Sequence, residues 1–448
     1  MEQFVNEHLN EMIDDLKELV KYNSVNADDE LPFGKENRKV LDKALELLEK
    51  KGIKTKNLDY YCGFGEVGKG EKVIGIVSHL DIVPKGEGWD SNPFELTIKD
   101  NVLYGRGVSD DKGAGVAAMW AIKYLLDTNY DFKKRVRLIF GCNEETGSEC
   151  VKYYVKKEGD VDLGFTPDAE FPGIYAEKGM IHGNLIGEKT NIIDIKGGDA
   201  SNIVCKKVVA TLKNNSFDEN KLNAFFASHS IKYEIQKESD NVVLTVNGKA
   251  AHASLPDEGV NAINYLLVGL KESGYDDNFV DYFNKYIGLD LHGETLGYEL
   301  LKDEVTNTSI NIGLIKKEDD KIIASLDMRF PIKSNIKACL KPLIDTNEEN
   351  NYFKEDSTIE PLYFDTNSAF IKALENAYRK VTKDETNKMA AVGGGTYAKA
   401  MKNIIAFGCE FQGENNHIHD ANERLSIDSF IKQVLCYIEA IKNLNEVE

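Results

Sequence analysis

A continuous apolar run, KVIGIVSHLD at residues 72–81, is the feature that most limits what this chain can fold into. Such a run, ending in polar residues, is typical of a strand that is buried on both faces of a parallel sheet. Helical and strand patterns alternate after it, with a helix over 112–127, a strand over 136–140 and a helix over 148–157. The sequence therefore predicts an α/β fold.

The character of the sequence changes near residue 183 and changes back near residue 361. Between these points, strand patterns such as NVVLTVNG and KIIASLDMRF are separated by helical patterns such as VNAINYLLVGL, which is typical of an α+β module. We therefore predict a main α/β domain with a mixed, mostly parallel sheet flanked by helices, interrupted by an inserted α+β domain. The expected boundaries are 1–183 and 361–448 for the main domain and 184–360 for the insertion.

Charge and composition argue against several classes of protein. The chain has 75 Asp and Glu residues against 55 Lys and Arg, and a net charge of −20 repels phosphate backbones and anionic membranes. We therefore expect no nucleic-acid partner and no membrane partner. The acidic segment 1–20 lacks the basic start and apolar stretch of a signal peptide, and seven scattered cysteines without a CxxC pair fit reduced thiols. We expect a cytoplasmic protein.

Acidic and imidazole side chains follow several of the predicted strands or precede a predicted helix. In chain order they are His79 and Asp81, Asp110 and Asp111, Glu144 and Glu145, Asp168 and Glu170, and His417 and His419. One acidic strand end would usually be a helix cap. Several acidic strand ends at one edge of a sheet bring like charges together, which costs free energy unless a cation neutralises them. Because imidazole and carboxylate occur here without thiolate, the pattern favours zinc or a similar divalent ion.

The adjacent acids Glu144 and Glu145 suggest a division of roles. Neighbouring residues in a loop cannot easily bind one ion in the same way, so one would ligate and the other would act as general base toward the attacking water. If one carboxylate is shared by two ions, each with its own histidine and acid, the result is a two-metal hydrolytic site. A capping pair ahead of the helix near Ser148 is the structural alternative.

Seven segments, in order along nearly the whole chain, carry a family resemblance. They are SHLDIVP, GWDSNPFELTIKDNVLYGRGVSDDKG, GCNEETGS, TPDAEFP, GKAAHAS, GGGTYA and HIHDANE. Together they resemble the dinuclear zinc aminopeptidase and carboxypeptidase superfamily, and most closely its PepV-type bacterial dipeptidases. The resemblance implies that the main domain is catalytic and that the inserted domain is a lid.

The resemblance also implies a set of metal ligands. They are His79, Asp110, Glu145, Asp168 and His419. Asp110 would be shared by two ions, with His79 and Asp168 completing one site. Glu145 and His419 would complete the other. The implied ions are two divalent cations, zinc above all, although manganese or cobalt also suits these ligands.

Further roles follow from the same resemblance. Glu144 would be the general base, Asp81 would orient His79, and the peptide bond after Asp110 would be cis. His252 in GKAAHAS would stabilise the oxyanion, for which the alternative is a turn cap before the helix that starts near Asn261.

Substrate contacts are implied for a second group of residues. Arg329 in DMRFP would bind the terminal carboxylate of the substrate, because a guanidinium fork suits a carboxylate. Asn202 would also contact substrate, although Cys205 replaces the usual proline near it. Backbone amides of Gly393, Gly394 and Gly395 would bind the same carboxylate, with a plain turn as the alternative.

These features together predict a metal-dependent dipeptidase that hydrolyses short peptides with a free N-terminus. An N-acyl amino acid amidohydrolase of the same superfamily is the first alternative, and a non-catalytic metal- or peptide-binding protein is the second. The long inserted domain resembles that of monomeric relatives, so we expect a monomer. Side-chain preference, the physiological metal and the physiological role do not follow from the sequence.

Overall fold

The computed structural model describes residues 1–298 and 306–448, which form two compact units. The first unit contains Met1–Ala176, Phe364–Ala390 and Gly395–Glu448, and the second contains Glu177–Tyr363 and Ala391–Gly394. Each unit is a set of residues that contact one another. The catalytic and lid domains, with boundaries near 183 and 361, stay predictions.

The α-helices begin and end as follows in chain order: α1 (Glu2–Glu7), α2 (Leu9–Val20), α3 (Lys35–Lys50), α4 (Lys112–Asp127), α5 (Glu149–Glu158), α6 (Glu219–Ser228), α7 (Ala262–Glu272), α8 (Asn278–Tyr286), α9 (Ile336–Ile344), α10 (Ala369–Thr382) and α11 (Ile427–Glu446). Three short 3₁₀ helices lie at Pro256–Glu258, Glu294–Leu296 and Tyr397–Lys399.

The strands are β1 (Lys54–Leu58), β2 (Cys62–Val67), β3 (Val73–His79), β4 (Thr97–Lys99), β5 (Val102–Tyr104), β6 (Arg135–Gly141), β7 (Leu163–Thr166), β8 (Ile174–Glu177), β9 (Gly179–Gly187), β10 (Asp194–Gly197), β11 (Lys207–Lys213), β12 (Lys232–Glu238), β13 (Asn241–Asn247), β14 (Ser309–Asn311), β15 (Ile315–Glu318), β16 (Lys321–Phe330), β17 (Asn351–Ile359), β18 (Leu362–Tyr363), β19 (Ala390–Val392), β20 (Ile404–Ala406) and β21 (Arg424–Ser426).

The main sheet of the first unit has the strand order β1-β2-β6-β3-β7-β20-β8. Its central strands β6, β3, β7 and β20 are parallel to one another. The flanking strands β1, β2 and β8 pair antiparallel. The predicted α/β fold with a mixed sheet is confirmed, and its parallel strands form the centre. A small sheet of order β21-β5-β4 belongs to the same unit.

Strand β3 lies in the apolar run at residues 72–81, as predicted. All seven of its residues are buried, because it lies between β6 and β7 in the sheet and is covered by helices. Helix α4 packs closely against it. A Cβ at Gly115 would lie 2.6 Å from Ser78 Oγ and 2.8 Å from the Phe140 ring, so glycine is required for this approach.

Apolar residues recur at helical spacing through residues 2–22, which predicts one amphipathic helix there. The structure has α1 and α2 instead, separated at His8, whose backbone has φ −105° and ψ 8°. His8 Nδ1 donates to the Phe4 carbonyl oxygen at 2.9 Å, and the His8 ring stacks on the Phe4 ring. The amphipathic pattern continues across this break, because both helices bury apolar residues in the same core.

The second unit is built on an antiparallel sheet of order β12-β13-β11-β10-β15-β16-β9-β17, with β14 paired to β16. One face of this sheet is buried, as the alternating burial along β13 shows. Helices α6, α7 and α8 contribute to its separate apolar core. The predicted α+β character of this segment is confirmed.

Two further observations concern the described residues as a whole. None of the helices in residues 1–298 and 306–448 combines the length and apolarity needed to span a bilayer. All seven cysteines are buried as free thiols.

Candidate metal centre

The candidate metal centre lies in the first unit, where several loops meet at the carboxyl ends of the parallel strands. His79 is the last residue of β3, Glu144 and Glu145 follow β6, and Asp168 follows β7. Asp110 comes from the loop before α4. His419 lies in the loop between β20 and β21. Parallel strands end at the same edge of a sheet, which is why residues distant in sequence converge here.

Asp110 occupies the centre of this group. Its Oδ1 lies 2.9 Å from His79 Nε2, and its Oδ2 lies 3.0 Å from His419 Nε2. The two oxygens of one buried carboxylate therefore face two different imidazoles. The peptide between Asp110 and Asp111 is cis, as the resemblance implied.

Each imidazole has a second carboxylate beside it. Asp168 Oδ2 lies 3.9 Å from His79 Nε2, and Glu145 Oε1 lies 3.3 Å from His419 Nε2. Two overlapping groups each have ligand atoms within 4.8 Å of one another. They are His79 with Glu144 and Asp168, and His79 with Asp110 and Glu145.

His79 is held so that one ring nitrogen faces the carboxylates. Its Nδ1 donates to the carbonyl oxygen of Asp81 at 3.0 Å, and its backbone N–H donates to Asp111 Oδ2 at 3.1 Å. Because a carbonyl oxygen can only accept, Nδ1 carries the proton and Nε2 keeps its lone pair in the neutral ring. That is the tautomer in which Nε2 can bind a metal.

The Asp81 carboxylate contacts the turn of the two glutamates as well as His79. It lies 3.6 Å from His79 Nδ1, but it accepts the backbone N–H groups of Glu144 at 3.0 Å and Glu145 at 3.1 Å. Asn26 Nδ2 also donates to it at 3.1 Å. Asp81 therefore fixes the turn that presents the two glutamates, while its carbonyl oxygen orients His79.

The convergence of carboxylates perturbs their ionisation. Burial, and then the charge of Asp110, raises the pKa of Asp168 to about 7. Burial and the charge of Asp168 raise the pKa of Glu144 well above its usual value. Hydrogen bonds to Asp110 and Glu145 raise the pKa of His419 to about 11. All three shifts have the same sign: each favours the form of the group that carries one more proton.

The residues fit a metal ion by their chemistry. Two imidazoles and four carboxylates supply nitrogen and oxygen ligands. Burial first, and then repulsion by neighbouring carboxylates, raises the pKa values of Asp168 and Glu144. A divalent cation would relieve this repulsion, and such ligands suit zinc and its first-row neighbours. The structure therefore holds a candidate carboxylate–imidazole metal site.

His252 lies in the second unit and has a defined tautomer. Its Nδ1 accepts the backbone N–H of Ser254 at 3.2 Å and lies 2.7 Å from Ser254 Oγ. A neutral His252 therefore carries its proton on Nε2, where it can donate. Burial, together with the charge of Arg329, lowers the pKa of His252 and favours this neutral form.

Arg329 lies on β16 of the same unit and is almost fully buried. Its Nε and Nη2 donate to the two oxygens of Asp327 at 2.6 and 2.7 Å, and its Nη1 donates to the Gly393 carbonyl oxygen at 3.0 Å. Met180 Sδ also contacts Nη1. The guanidinium orientation is thus fixed from several sides.

The remaining predicted substrate residues divide between the units. Asn202 lies beside His252, because the Asn202 carbonyl oxygen accepts the Ala253 N–H at 2.9 Å. Gly393 and Gly394 belong to the second unit and Gly395 to the first. In the second unit a cleft of about 530 Å³ has His252, Asp257, His292, Gly393 and Gly394 among its lining residues.

Sequence reasoning missed several residues that support these groups. Asn26 supports Asp81, Asp327 supports Arg329, and the buried Glu423 accepts four hydrogen bonds from the loop that carries Asp110. Glu423 ends the HIHDANE segment, so its position gave a signal. Nothing local marks Asn26. His417, the other histidine of that segment, contacts the Ala421 carbonyl oxygen instead of the carboxylate group.

Comparison with known proteins identifies a family and agrees with the fold. Residues 75–443 match the profile of Peptidase family M20/M25/M40. The chain is 34% identical to a protein of Staphylococcus aureus (strain USA300) over 461 aligned positions, which cover 98% of each chain. That protein is named as a dipeptidase by inference.

Solved structures show the same fold. Human carnosine dipeptidase 1 aligns with a TM-score of 0.63 and 17% identity over 100% of this chain and 98% of that one. The dipeptidase Dug1p of Saccharomyces cerevisiae aligns with a TM-score of 0.60 and 15% identity over 99% and 98%.

The family match and the name of the S. aureus relative, together with the carboxylate–imidazole site, indicate a hydrolase of the metallopeptidase class. The family match covers most of the chain, so the protein belongs to peptidase family M20/M25/M40. The predicted resemblance is confirmed at this level.

Proposed function

We propose that this protein is a metal-dependent dipeptidase acting on short peptides with a free N-terminus. The observation that carries the proposal is the position of Asp110, whose two oxygens lie 2.9 and 3.0 Å from the Nε2 atoms of His79 and His419. A carboxylate between two imidazoles, each with another acid close by, suits a pair of cations. The activity named for the S. aureus relative at 34% identity supports the same substrate class.

We assign His79, Asp110 and Asp168 to one cation and Asp110, Glu145 and His419 to the other. Zinc is the expected ion, and manganese or cobalt would suit the same ligands. Glu144 also lies within 4.8 Å of His79 and Asp168. We nevertheless assign it as the base, because the first cation already has three ligands and catalytic sites keep a position open.

Bound divalent cations would polarise the scissile carbonyl and make water a stronger acid. Glu144 would accept the proton of the attacking water on a carboxylate oxygen and would then deliver it to the leaving amine nitrogen. Asp81 would keep Glu144 in place through the 3.0 Å hydrogen bond from the Glu144 backbone N–H. His79 would keep its Nε2 lone pair available through the bond of Nδ1 to the Asp81 carbonyl.

The second unit would recognise the substrate. His252, neutral and protonated on Nε2, would donate to the oxyanion that forms at the scissile carbonyl. Arg329 and the amides of Gly393, Gly394 and Gly395 would bind the terminal carboxylate, and Asn202 would contact the peptide. Fixing a carboxylate near the scissile bond would restrict the substrates to very short peptides. We further propose that the protein acts in the cytoplasm as a monomer.

A substrate panel tests this function. Metal-loaded protein would be offered free dipeptides, the same dipeptides N-acetylated, and tripeptides that extend them by one residue. The proposal predicts rapid cleavage of the free dipeptides alone. Cleavage of the N-acetylated compounds in preference would favour the amidohydrolase, and absence of cleavage of every compound by fully loaded protein would favour a binding protein.

A further inference from the structure

Glu423 links the two loops that carry the central ligands of the candidate metal centre. It directly precedes β21 and lies four residues after His419. Its side chain is fully buried, yet it is a carboxylate, so its partners must compensate the charge. Its two carboxylate oxygens accept four hydrogen bonds, all from residues 106–110.

The geometry of these four bonds is divided between the two oxygens. Oε1 accepts the backbone N–H groups of Ser109 at 2.9 Å and Asp110 at 3.1 Å. Oε2 accepts the backbone N–H of Gly107 at 3.0 Å and Arg106 Nη1 at 2.7 Å. Both lone-pair sides of the carboxylate are therefore used, and one bond goes to the amide of Asp110 itself.

Two more contacts join the same loops. The Gly105 N–H donates to the carbonyl oxygen of Glu423 at 3.1 Å. Asn416 Nδ2 donates to Ser109 Oγ at 3.1 Å, and the Asn416 carbonyl oxygen accepts the Arg424 N–H at 2.9 Å. Asn416 and Glu423 thus bracket His419 in sequence and both bind the loop of Asp110.

We infer that Glu423 is a positioning residue, which holds the Asp110 loop against the His419 loop and thereby sets the metal affinity of the centre. Asp110 Oδ2 and His419 Nε2 are 3.0 Å apart, and they come from segments about 310 residues apart in the chain. Ligands held in place before the ion binds lose less freedom on binding, so the restraint strengthens binding. The inference rests on the proposed metal centre.

Arg106 has a supporting part. Its guanidinium neutralises the Glu423 charge, its Nη2 donates to the Lys85 carbonyl oxygen at 3.4 Å, and its Cζ lies 5.3 Å from the centroid of the Trp89 ring. An ion pair that served stability alone would need only the contact between the Arg106 guanidinium and the Glu423 carboxylate. The three backbone N–H groups of the ligand loop are what a positioning role adds.

The variant E423Q separates these roles because it keeps the shape of the side chain. Its amide oxygen would stay with Arg106, since a second donor there would be repelled. Its NH₂ group would then face the N–H groups of Ser109 and Asp110, and both would lose their acceptor. We expect the affinity for Zn²⁺ to fall by about 10- to 100-fold, the range seen when partners that orient metal ligands are lost.

The measurement is a competition titration of metal-stripped full-length protein with Zn²⁺ and a chromogenic chelator, so it does not depend on catalysis. The matched control is E439Q, because Glu439 is another buried glutamate of the first unit, held by Lys380 Nζ at 2.7 Å. Thermal unfolding of each metal-free variant monitors folding. We expect E439Q to keep the wild-type Zn²⁺ affinity whatever it does to stability.

A milder variant covers the case in which E423Q does not fold. N416A removes the bond to Ser109 Oγ and should weaken Zn²⁺ binding by about 3- to 10-fold. Wild-type affinity in folded E423Q, or in N416A where E423Q does not fold, would overturn the inference. An equal loss in E439Q would also overturn it, since global destabilisation would then suffice. If wild-type protein cleaves dipeptides and E423Q keeps the wild-type Zn²⁺ affinity, the positioning role is wrong. The proposed function is then still supported.

Discussion

Replacing Arg329 by lysine tests whether the guanidinium fork binds the substrate carboxylate. In the structure Nε and Nη2 are committed to Asp327 and Nη1 to the Gly393 carbonyl oxygen. The Met180 sulfur beside Nη1 is a weak acceptor, so the Nη1–Nη2 edge is the part that a carboxylate can engage. Lysine keeps the charge opposite Asp327, and folding should therefore survive.

The magnitude follows from the hydrogen bonds lost. Two charge-assisted bonds contribute about 1.5–3 kcal/mol each, and lysine as a point charge retains part of that sum. A net loss of about 2–3 kcal/mol lowers kcat/KM for a free dipeptide by about 30- to 150-fold. The C-terminal amide of the same dipeptide offers no carboxylate, so its kcat/KM should hardly change between wild type and R329K.

The comparison of acid and amide substrates is therefore the assay. R379K is the matched control, because Arg379 also holds a carboxylate, that of Glu375 at 2.5 Å, but lies on α10 of the first unit. An equal loss on both substrates, or no loss on either, would refute the assigned contact between Arg329 and the substrate carboxylate.

Three further changes have defined outcomes. E144Q should lower kcat by about 10²–10⁴-fold while the bound metal content, measured by elemental analysis, stays unchanged, because the proton acceptor is lost and the ligands remain. H252A should lower kcat by about 10²–10³-fold with a smaller change in KM, because the donor acts on the oxyanion. Asp327 has a pKa below its usual 3.8, since His182, whose Nε2 lies 3.6 Å from Asp327 Oδ2, and the hydrogen-bonded charge of Arg329 outweigh the effect of burial. Its charged form therefore stabilises the fold above pH 3.8, and the difference in unfolding free energy between wild type and D327N should shrink as the pH falls below that value, as urea titrations would show.

Helical periodicity and continuous apolar runs in the sequence predicted much of the fold. The helix predicted over 112–127 is α4, and the buried apolar run is β3, because each is specified by its own residues. The break at His8 was missed, since the apolar spacing on either side of it is that of one helix. Antiparallel strands at the margins of the main sheet depend on pairing between segments, which no local pattern encodes.

For the candidate site, the sequence predicted the residues that stand in motifs but not those whose partners are distant in the chain. Residues such as His79 and Glu144 stand in dense motifs at strand ends, and these motifs carried the resemblance. Asn26 was missed because its partners Asp81 and the Cys142 carbonyl lie 55 and 116 residues away. The use of the Asp81 carboxylate for the Glu144 and Glu145 amides also depends on the folded turn, whereas spacing suggested only a bond to His79.

The proposed function requires two cations that share Asp110 for peptide hydrolysis. The direct measurement is a titration of metal-stripped protein with Zn²⁺, in which bound metal and hydrolysis of a free dipeptide are followed in the same samples. The proposed function predicts no hydrolysis without metal, binding that saturates at two ions per chain, and hydrolysis that rises as the sites fill. Full hydrolysis by stripped protein, or saturation with zinc without any hydrolysis of dipeptides, would contradict it.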